Sequence, residues 1–555
     1  MSDQRTRREM LQWAGAAASS VIADRVCAEQ GTASAKPQLD GARQGRAATP
    51  NILIFMTDQQ RADSIAPYHR AHTPNVDRLC KEGITFSQTY CPSPHCCPSR
   101  ATFFSGLYPS EHGVWNNVDV GNALSRGPFP GTRLFSDDLK AAGYELYFSG
   151  KWHVSSLDTP ADRGWTMSPT QLGMKSAALS AGTTPPRTPG DWHGYDGKPP
   201  LGEWHKYALL AQRPEQTQRF EAQILRPGYG TYTHYGQAAP GGKGGYAFDR
   251  RVVDDAMRII RDRKKGGNPW VQYVGIIGPH DPYFLPKEFL DLYRIEDIKL
   301  PENFADRMTD KPALYRRTRD RFDQLPESEH REALRHYLAY CTYVDALFGE
   351  VLKAMEETGE LDDTLVLYTS DHGDYASEHG LWCKGLPCFR GAYHIPAVMR
   401  WPTGIKNPGR TVDAMASTAD FAPTFLEAAG LKIDRPMTGR SLLPFLRDDA
   451  PPADWRDAVF TQSNGNELYG IQRSVSTRKW KYVDNGFDYD ELYDLEADPG
   501  EIKNLASDPK HRDVIHEMCH RLWRFAFEHK DVAINDYILV ALAPFGPAEA
   551  FRKQS

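Results

Sequence analysis

Asn51-Ile52-Leu53-Ile54-Phe55-Met56 is the stretch on which the fold turns. It is a continuous apolar run, too short to cross a membrane and without the alternation of a half-exposed strand. It therefore reads as a strand covered on both faces. Asp58 and Gln59 follow it directly. Outward from this run, apolar segments alternate with helical patterns. Helices are expected around 74–82, 98–104 and 136–142, the last ended by Gly143, with a strand at 144–148. A helix at 249–265 leads into a strand at 270–277, and a long helix at 332–358 into a strand at 364–368. Such alternation implies right-handed crossovers and a large, mostly parallel sheet sandwiched by helices, an α/β domain.

The rhythm breaks twice. Residues 155–247 are rich in Gly, Pro and aromatics such as Trp192, Trp204, Tyr229, Tyr232 and Tyr235, and read as a loop-rich insertion. After about residue 440 short strands appear, for example at 458–462 and 480–483, followed by a helix at about 510–527. That pattern predicts a smaller antiparallel sheet in a C-terminal subdomain, 441–555, beside a catalytic domain spanning 50–440.

Polar residues fall where chemistry in such a sheet is expected. Asp58-Gln59, Lys151 and His153, His280, and Asp371-His372 each follow one of four predicted strands. In open α/β sheets ligands bind beyond the carboxyl ends of the strands. An Asp after a strand is often only a helix cap, so each taken singly is weak evidence. Four together predict one site. Asp58 and Asp371, supplemented by Gln59 and His372, offer donors to a divalent cation. Lys151, Lys384, Arg100 and the imidazoles suit a tetrahedral oxyanion, the arrangement that sulfuryl or phosphoryl transfer requires.

Bulk properties narrow the class. The 555 residues exceed what one core usually serves, and 40% hydrophobic with 25% charged residues is ordinary globular composition. A net charge of -6 without a basic run argues against a nucleic-acid partner. Residues 1–35 read as a twin-arginine-type export signal. Thr6-Arg7-Arg8-Glu9-Met10-Leu11 is followed by an Ala-rich apolar run at 13–23 and by Ala33-Ser34-Ala35 as a cleavage site. The expectation is an exported protein, periplasmic or extracellular, with no membrane span. Cys27 would leave with that signal, and eight of the nine cysteines would remain. Their pairing is not readable, and Cys91-x4-Cys96-Cys97 and Cys383-x4-Cys388 lack the short spacing of a zinc knuckle.

Cys96-Cys97-Pro98-Ser99-Arg100-Ala101-Thr102 supplies a nucleophile. Pro98 suits the first turn of a helix, which puts Cys96 just before a helix N-terminus, where the dipole favours anions. Left unmodified, Cys96 is either a low-pKa thiolate or an inert buried thiol. C-x-P-S-R followed by Ala101-Thr102-Phe103-Phe104-Ser105-Gly106-Leu107-Tyr108-Pro109 resembles the signature of the sulfatases, members of the alkaline-phosphatase superfamily. Pro50-Asn51-Ile52 through Asp58-Gln59, Gly150-Lys151-Trp152-His153, Pro279-His280-Asp281-Pro282-Tyr283, Ser370-Asp371-His372-Gly373, Gly380-Leu381-Trp382-Cys383-Lys384 and Glu491-Leu492-Tyr493-Asp494-Leu495 match in the expected order.

The resemblance implies an alkaline-phosphatase-like fold and oxidation of Cys96 to formylglycine by a dedicated maturation enzyme. It further implies a divalent metal, calcium first and manganese or another transition metal second, held by Asp58, Gln59, residue 96, Asp371 and His372. One hydroxyl of the hydrated aldehyde, deprotonated with help from Asp371, would attack sulfur. His153 would take the proton of the second hydroxyl, so that sulfate leaves by C–O cleavage without water attacking an anionic adduct. His280 and Lys384 would contact the sulfate and assist the leaving oxygen. Lys151 would stabilise sulfate charge and position residue 96, which Arg100 would orient. Asn116 or Asn117 is expected to line the leaving-group pocket.

Two positions depart from the commonest pattern: Gln59 and His372 stand where many sulfatases carry Asp and Asn. Those departures resemble phosphonate monoester hydrolases and choline-sulfatase-like enzymes, whereas retention of Lys151 and His153 favours sulfate. A sulfated carbohydrate is the expected substrate, because the aromatic insertion follows an active-site strand end and aromatic faces cover sugar rings, although the same rings also serve as packing. The rival readings are a phosphonate monoester hydrolase or phosphodiesterase, and a non-catalytic sulfated-glycan-binding protein with an unmodified Cys96.

Overall fold

The computed structural model describes residues 49–552 except 120–122, 173–222, 226–231, 235–245, 265, 282, 324, 448–451, 467, 536 and 542–544. The expected signal at 1–35 and most of the insertion, including Trp192, Trp204, Tyr229 and Tyr235, lie outside the described residues.

Strands β1 (Asn51–Asp58), β2 (Ile84–Phe86), β3 (Glu145–Lys151), β4 (Thr166–Leu172), β5 (Trp270–Pro279), β6 (Thr364–Ser370), β7 (Ala397–Arg400) and β8 (Arg410–Val412) build one sheet. Their order is β8-β2-β7-β6-β1-β5-β3-β4. Only β7 runs antiparallel to its neighbours. The other pairings are parallel. Helices α1 (Pro74–Glu82), α2 (Cys96–Ser105), α3 (Phe135–Ala141), α4 (Tyr246–Asp262), α5 (Glu327–Thr358) and α6 (Phe421–Ala428) cover it.

The apolar run at 51–56 explains this layering. Leu53 and Phe55 share one core with residues of α1, α4 and α5. Ile52, Ile54 and Met56 share another with α2, α3 and α6. Because side chains alternate across a strand, a run buried on both sides must be apolar throughout. All five are fully buried. At about 1.5–3 kcal/mol for each such side chain, this one strand supplies on the order of 10 kcal/mol of hydrophobic burial.

Strands β2, β4, β7 and β8 escaped the sequence reading. Runs of three or four residues carry too little periodicity, and β4 lies inside the expected insertion. There it adds an edge strand against β3. Further along the same stretch, 223–225 and 232–234 pair as antiparallel strands. Near the C-terminus, β9 (Val459–Ser463), β10 (Gln472–Ser476), β11 (Trp480–Asn485) and β12 (Glu491–Asp494) form an antiparallel meander. Helix α7 (Arg512–Glu528) shares its core through Ile515, Leu522 and Trp523 against Val475, Tyr482 and Leu492. Among the described residues no helix is long and apolar enough to cross a membrane. No disulfide joins two of the eight described cysteines.

Candidate active site

Strands β3, β5, β1 and β6 are adjacent and parallel, so their carboxyl ends open side by side. The glycine of Gly150-Lys151 is required by this closeness. Its φ is +94°, and a Cβ there would lie 2.0 Å from the Gly275 carbonyl oxygen of β5. Gln59, His153 and Cys383 also have positive φ, of 67°, 56° and 65°. Non-glycine residues rarely hold such backbones, and they concentrate at functional sites.

Helix α2 begins at Cys96 itself, two residues before the expected start at Pro98, after His95 in extended conformation. Pro98 is then its third residue. That is tolerated because the first four N–H groups of a helix have no intrahelical acceptor. Asn117 Oδ1 accepts one of them, from Cys97 N at 3.1 Å.

Cys96 Sγ lies 3.3 Å from His372 Nε2 and 3.7 Å from Asp58 Oδ1. His372 Nε2 is 3.5 Å from Asp58 Oδ1 and 3.7 Å from Asp371 Oδ1. These four buried donors lie within 4.8 Å of one another. His372 Nδ1 donates to Gly373 O at 2.9 Å, which leaves Nε2 as the lone-pair nitrogen facing the group. Two carboxylate oxygens and an imidazole around one point fit a divalent cation of intermediate hardness. Gln59 sits at the rim. Its backbone N–H donates to Asp371 Oδ1 at 3.2 Å, while its amide donates to Asp281 Oδ1 at 3.1 Å and Asp374 Oδ2 at 2.5 Å.

Cations ring this group. Arg100, fully buried, donates to Asp371 Oδ2 at 2.8 Å, Asp58 Oδ2 at 3.3 Å and Tyr273 Oη at 2.8 Å. Lys151 donates to Asp58 Oδ2. Burial alone would raise the Asp58 pKa, and the Cys96 charge adds to that. Lys151, His280 and Arg100 nevertheless hold it well below the usual carboxylate range. The unmodified Cys96 thiol reports the same field: burial opposes its ionisation, but Lys151, Lys384 and His372 pull its pKa well below that of an ordinary thiol.

On the facing side, Lys384 donates to Gln59 Oε1 and, at 2.7 Å, to His280 Nε2. His280 Nδ1 donates to Asp281 O at 2.5 Å. His153 Nε2 donates to Asp119 Oδ1 at 3.0 Å. Asn116 is buried, and its Oδ1 accepts from Leu124 N at 2.9 Å, bracing the loop after α2.

The sequence reading had not singled out Asp119, Tyr273, Asp281 or Asp374. Asp281 stood inside a quoted motif and Asp374 just past one, so both were open to recognition. Tyr273 is hidden in an apolar strand, and Asp119 lies in a loop without a pattern.

Comparison with known proteins agrees with this geometry. Residues 50–431 match the family model described as Sulfatase, and 377–528 match N-sulphoglucosamine sulphohydrolase, C-terminal. The chain is 29% identical over 484 residues to a choline-sulfatase from Rhizobium meliloti, covering 83% of each. It is 26% identical over 510 residues to an N-acetylglucosamine-6-O-sulfatase from Bacteroides thetaiotaomicron, covering 87% of each. The solved phosphonate monoester hydrolase from Silicibacter pomeroyi superposes with a TM-score of 0.66 at 22% identity, over 87% of this chain and 96% of that one. That last likeness is one of fold.

Proposed function

This chain belongs to the sulfatase family, and on that premise we propose that it hydrolyses a sulfate monoester borne by a carbohydrate, with residue 96 as the nucleophile. The observation that carries the reading is the buried Cys96 side chain, 3.3 Å from His372 Nε2 and 3.7 Å from Asp58 Oδ1, with Arg100 and Lys151 both on the Asp58 carboxylate. Its Sγ marks where the oxygens of a formylglycine would stand. That group, once hydrated, supplies a hydroxyl nucleophile to the sulfur. Asp58, Asp371, His372 and residue 96, with Gln59 at the rim, would hold a divalent ion, calcium first and manganese second, which supplies Lewis acidity toward a sulfate oxygen.

The remaining side chains have roles that follow from their contacts. Arg100 fixes the Asp371 and Asp58 carboxylates, so that Asp371 is held ready to accept the proton of the residue 96 hydroxyl. Lys151 neutralises Asp58 and faces the sulfate. His280 and Lys384 share a hydrogen bond at 2.7 Å. They form the donor pair for the departing alcohol oxygen, which must gain a proton as the S–O bond breaks. His153, oriented by Asp119, accepts the proton whose loss releases sulfate.

The carbohydrate rests on the N-acetylglucosamine-6-O-sulfatase relative and on the aromatic composition of residues 155–247. Mass spectrometry of the tryptic peptide containing residue 96 tests the core of the proposal. An aldehyde in place of the thiol is expected, and an intact thiol in active enzyme would overturn it. A higher kcat/KM on N-acetylglucosamine 6-sulfate than on choline sulfate would support the sugar assignment; the reverse would reject it.

Gln59 and His372 support a second reading, a phosphonate monoester hydrolase. Greater efficiency on an aryl phosphonate than on the matched aryl sulfate would favour it. Export through the segment 1–35 belongs to the same proposal, and is tested by whether Arg7→Lys with Arg8→Lys retains the protein in the cytoplasm.

A further inference from the structure

Beside the catalytic group lies a second cluster of ligand atoms. Cys97 Sγ, an Asp119 carboxylate oxygen and a His153 ring nitrogen all fall within 4.8 Å of one another, with Cys97 and His153 buried and Asp119 half-buried. Three stretches deliver them: Cys97 comes from the first turn of α2, Asp119 from the loop beyond the short helix Pro109–His112, and His153 from the exit of β3. The arrangement is braced. Val118 N donates to Cys97 Sγ at 3.4 Å, Cys97 N donates to Asn117 Oδ1, and His153 Nε2 is bonded to Asp119 Oδ1. His153 Nδ1 is buried without a hydrogen-bond partner.

We propose that Cys97, Asp119 and His153 form a binding site for a thiophilic divalent ion of the zinc class, and that an ion held there inhibits the enzyme by occupying His153.

The donor set argues the identity. A thiolate, an imidazole and a carboxylate are zinc ligands, and three protein ligands leave a fourth position for water. Calcium and magnesium take oxygen donors, so the ion suited to the neighbouring Asp58 and Asp371 gains little from a thiolate. The two groups thus sort ions by hardness. Donor separations up to 4.8 Å must contract toward the ~3.5 Å edges of a tetrahedral zinc site, which follow from Zn–ligand bonds of about 2.0–2.3 Å. Rotation of the half-buried Asp119 side chain can supply much of that. Binding displaces the Cys97 thiol proton and any proton on His153 to solvent, so affinity rises with pH. Oxidation of Cys96 leaves Cys97 as the thiol adjoining the site.

The binding claim stands on geometry alone, whereas the inhibition claim rests on the proposed role of His153. The test therefore reads them separately. Enzyme carrying formylglycine at residue 96 and saturated with calcium is titrated with Co2+, following the near-ultraviolet thiolate-to-cobalt band. Zn2+ inhibition of aryl sulfate turnover is measured in parallel. The parental enzyme should show the band. Cys97→Ala should lose it, keep its zinc-free activity, and need at least about tenfold more Zn2+ for half-inhibition, as expected when metal affinity falls with loss of a supporting group. An unchanged band together with unchanged zinc sensitivity in Cys97→Ala overturns the site. If that variant fails to fold, Cys97→Ser must show the same losses or the proposal fails. A cobalt band that disappears in the variant while zinc leaves parental turnover untouched keeps the site, but overturns the inhibition and, with it, the role given to His153.

Discussion

Replacing Arg100 by methionine should destabilise the protein far more without a divalent ion than with one. The guanidinium is fully buried and bridges two fully buried carboxylates, Asp371 at 2.8 Å and Asp58 at 3.3 Å. Unit charges about 4 Å apart attract by roughly 4 kcal/mol at an effective dielectric of about 20, so the two pairs amount to about 8 kcal/mol before desolvation. Removing one partner of a buried pair costs about 3–5 kcal/mol, because the charge left behind has lost its compensation. A divalent ion between Asp58 and Asp371 would supply that compensation in Arg100→Met, whereas the ion-free variant keeps Lys151 as the permanent cation bonded to Asp58 and none bonded to Asp371 among the described residues. Thermal unfolding with EGTA and with excess calcium, for parent and variant, provides the comparison. The expected result is a large loss of midpoint in EGTA, a much smaller one in calcium, and a steeper calcium dependence for the variant. Equal losses in both conditions would refute the reasoning, since Arg100 and the ion would then not serve the same two carboxylates.

Cys96→Ala should abolish turnover with the circular dichroism spectrum unchanged, while Cys97→Ala keeps activity; the reverse pattern would mean the nucleophile is misassigned. His280→Ala and Lys384→Ala should lower kcat by about 10²–10⁴-fold for alkyl sulfates, the usual worth of a general acid, and much less for nitrophenyl sulfate, whose alcohol needs no proton to leave. Equal losses on both substrates would remove the pair from leaving-group assistance. Asp249 accepts from Ile277 N, Gly278 N and Tyr340 Oη just behind the His280 strand end, and burial pushes its pKa up to about 7. A carboxylate raised in the folded state stabilises most below its ordinary value near 4 and loses that contribution as pH rises to about 7. Denaturant unfolding at pH 5 and pH 8 should therefore show a fall in stability that is smaller in Asp249→Asn; an identical fall in the variant would exclude Asp249 as its source.

Legibility of the sequence followed the physics of each element. β1 and β6 were readable because a strand buried on both faces has no freedom to carry a polar residue. Asp58, Lys151, His280 and Asp371 were readable because each follows such a run. β2, β7 and β8 were not, since three or four residues cannot establish a period, and their pairing comes from partners far along the chain, such as Val398 with Thr85. The same distinction holds within the site. Cys96 and Arg100 share one helix turn, so their spacing carried the information. Asp119 reaches His153 from 34 residues away in a loop without pattern; only tertiary structure could join them. Tyr273 reads as one more apolar strand residue until its hydroxyl is seen accepting from Arg100.

The charge balance of the pocket argues that these pieces work only together. Asp58, Asp371, Asp281 and Asp374 are buried within one network, and the permanent cations that touch it include Arg100, Lys151 and Lys384. The fixed charges of such a pocket nearly cancel, and its cations already favour an anion at residue 96. Burial pushes the Asp374 pKa up, and its carboxylate oxygen accepts from Gln59 and Tyr283. A divalent ion among Asp58, Asp371 and His372 would add two positive charges, and would attract anions into a protein whose overall charge is -6. The ion therefore has two separable effects, on substrate capture and on chemistry. Substituting Asp374→Asn removes a group able to carry negative charge without replacing the Asp58 and Asp371 carboxylates, so it should lower KM for a sulfate ester at low calcium and change it little at saturating calcium. A KM that rises instead, or an effect independent of calcium, would show that local hydrogen bonding and not net charge governs entry of the anion.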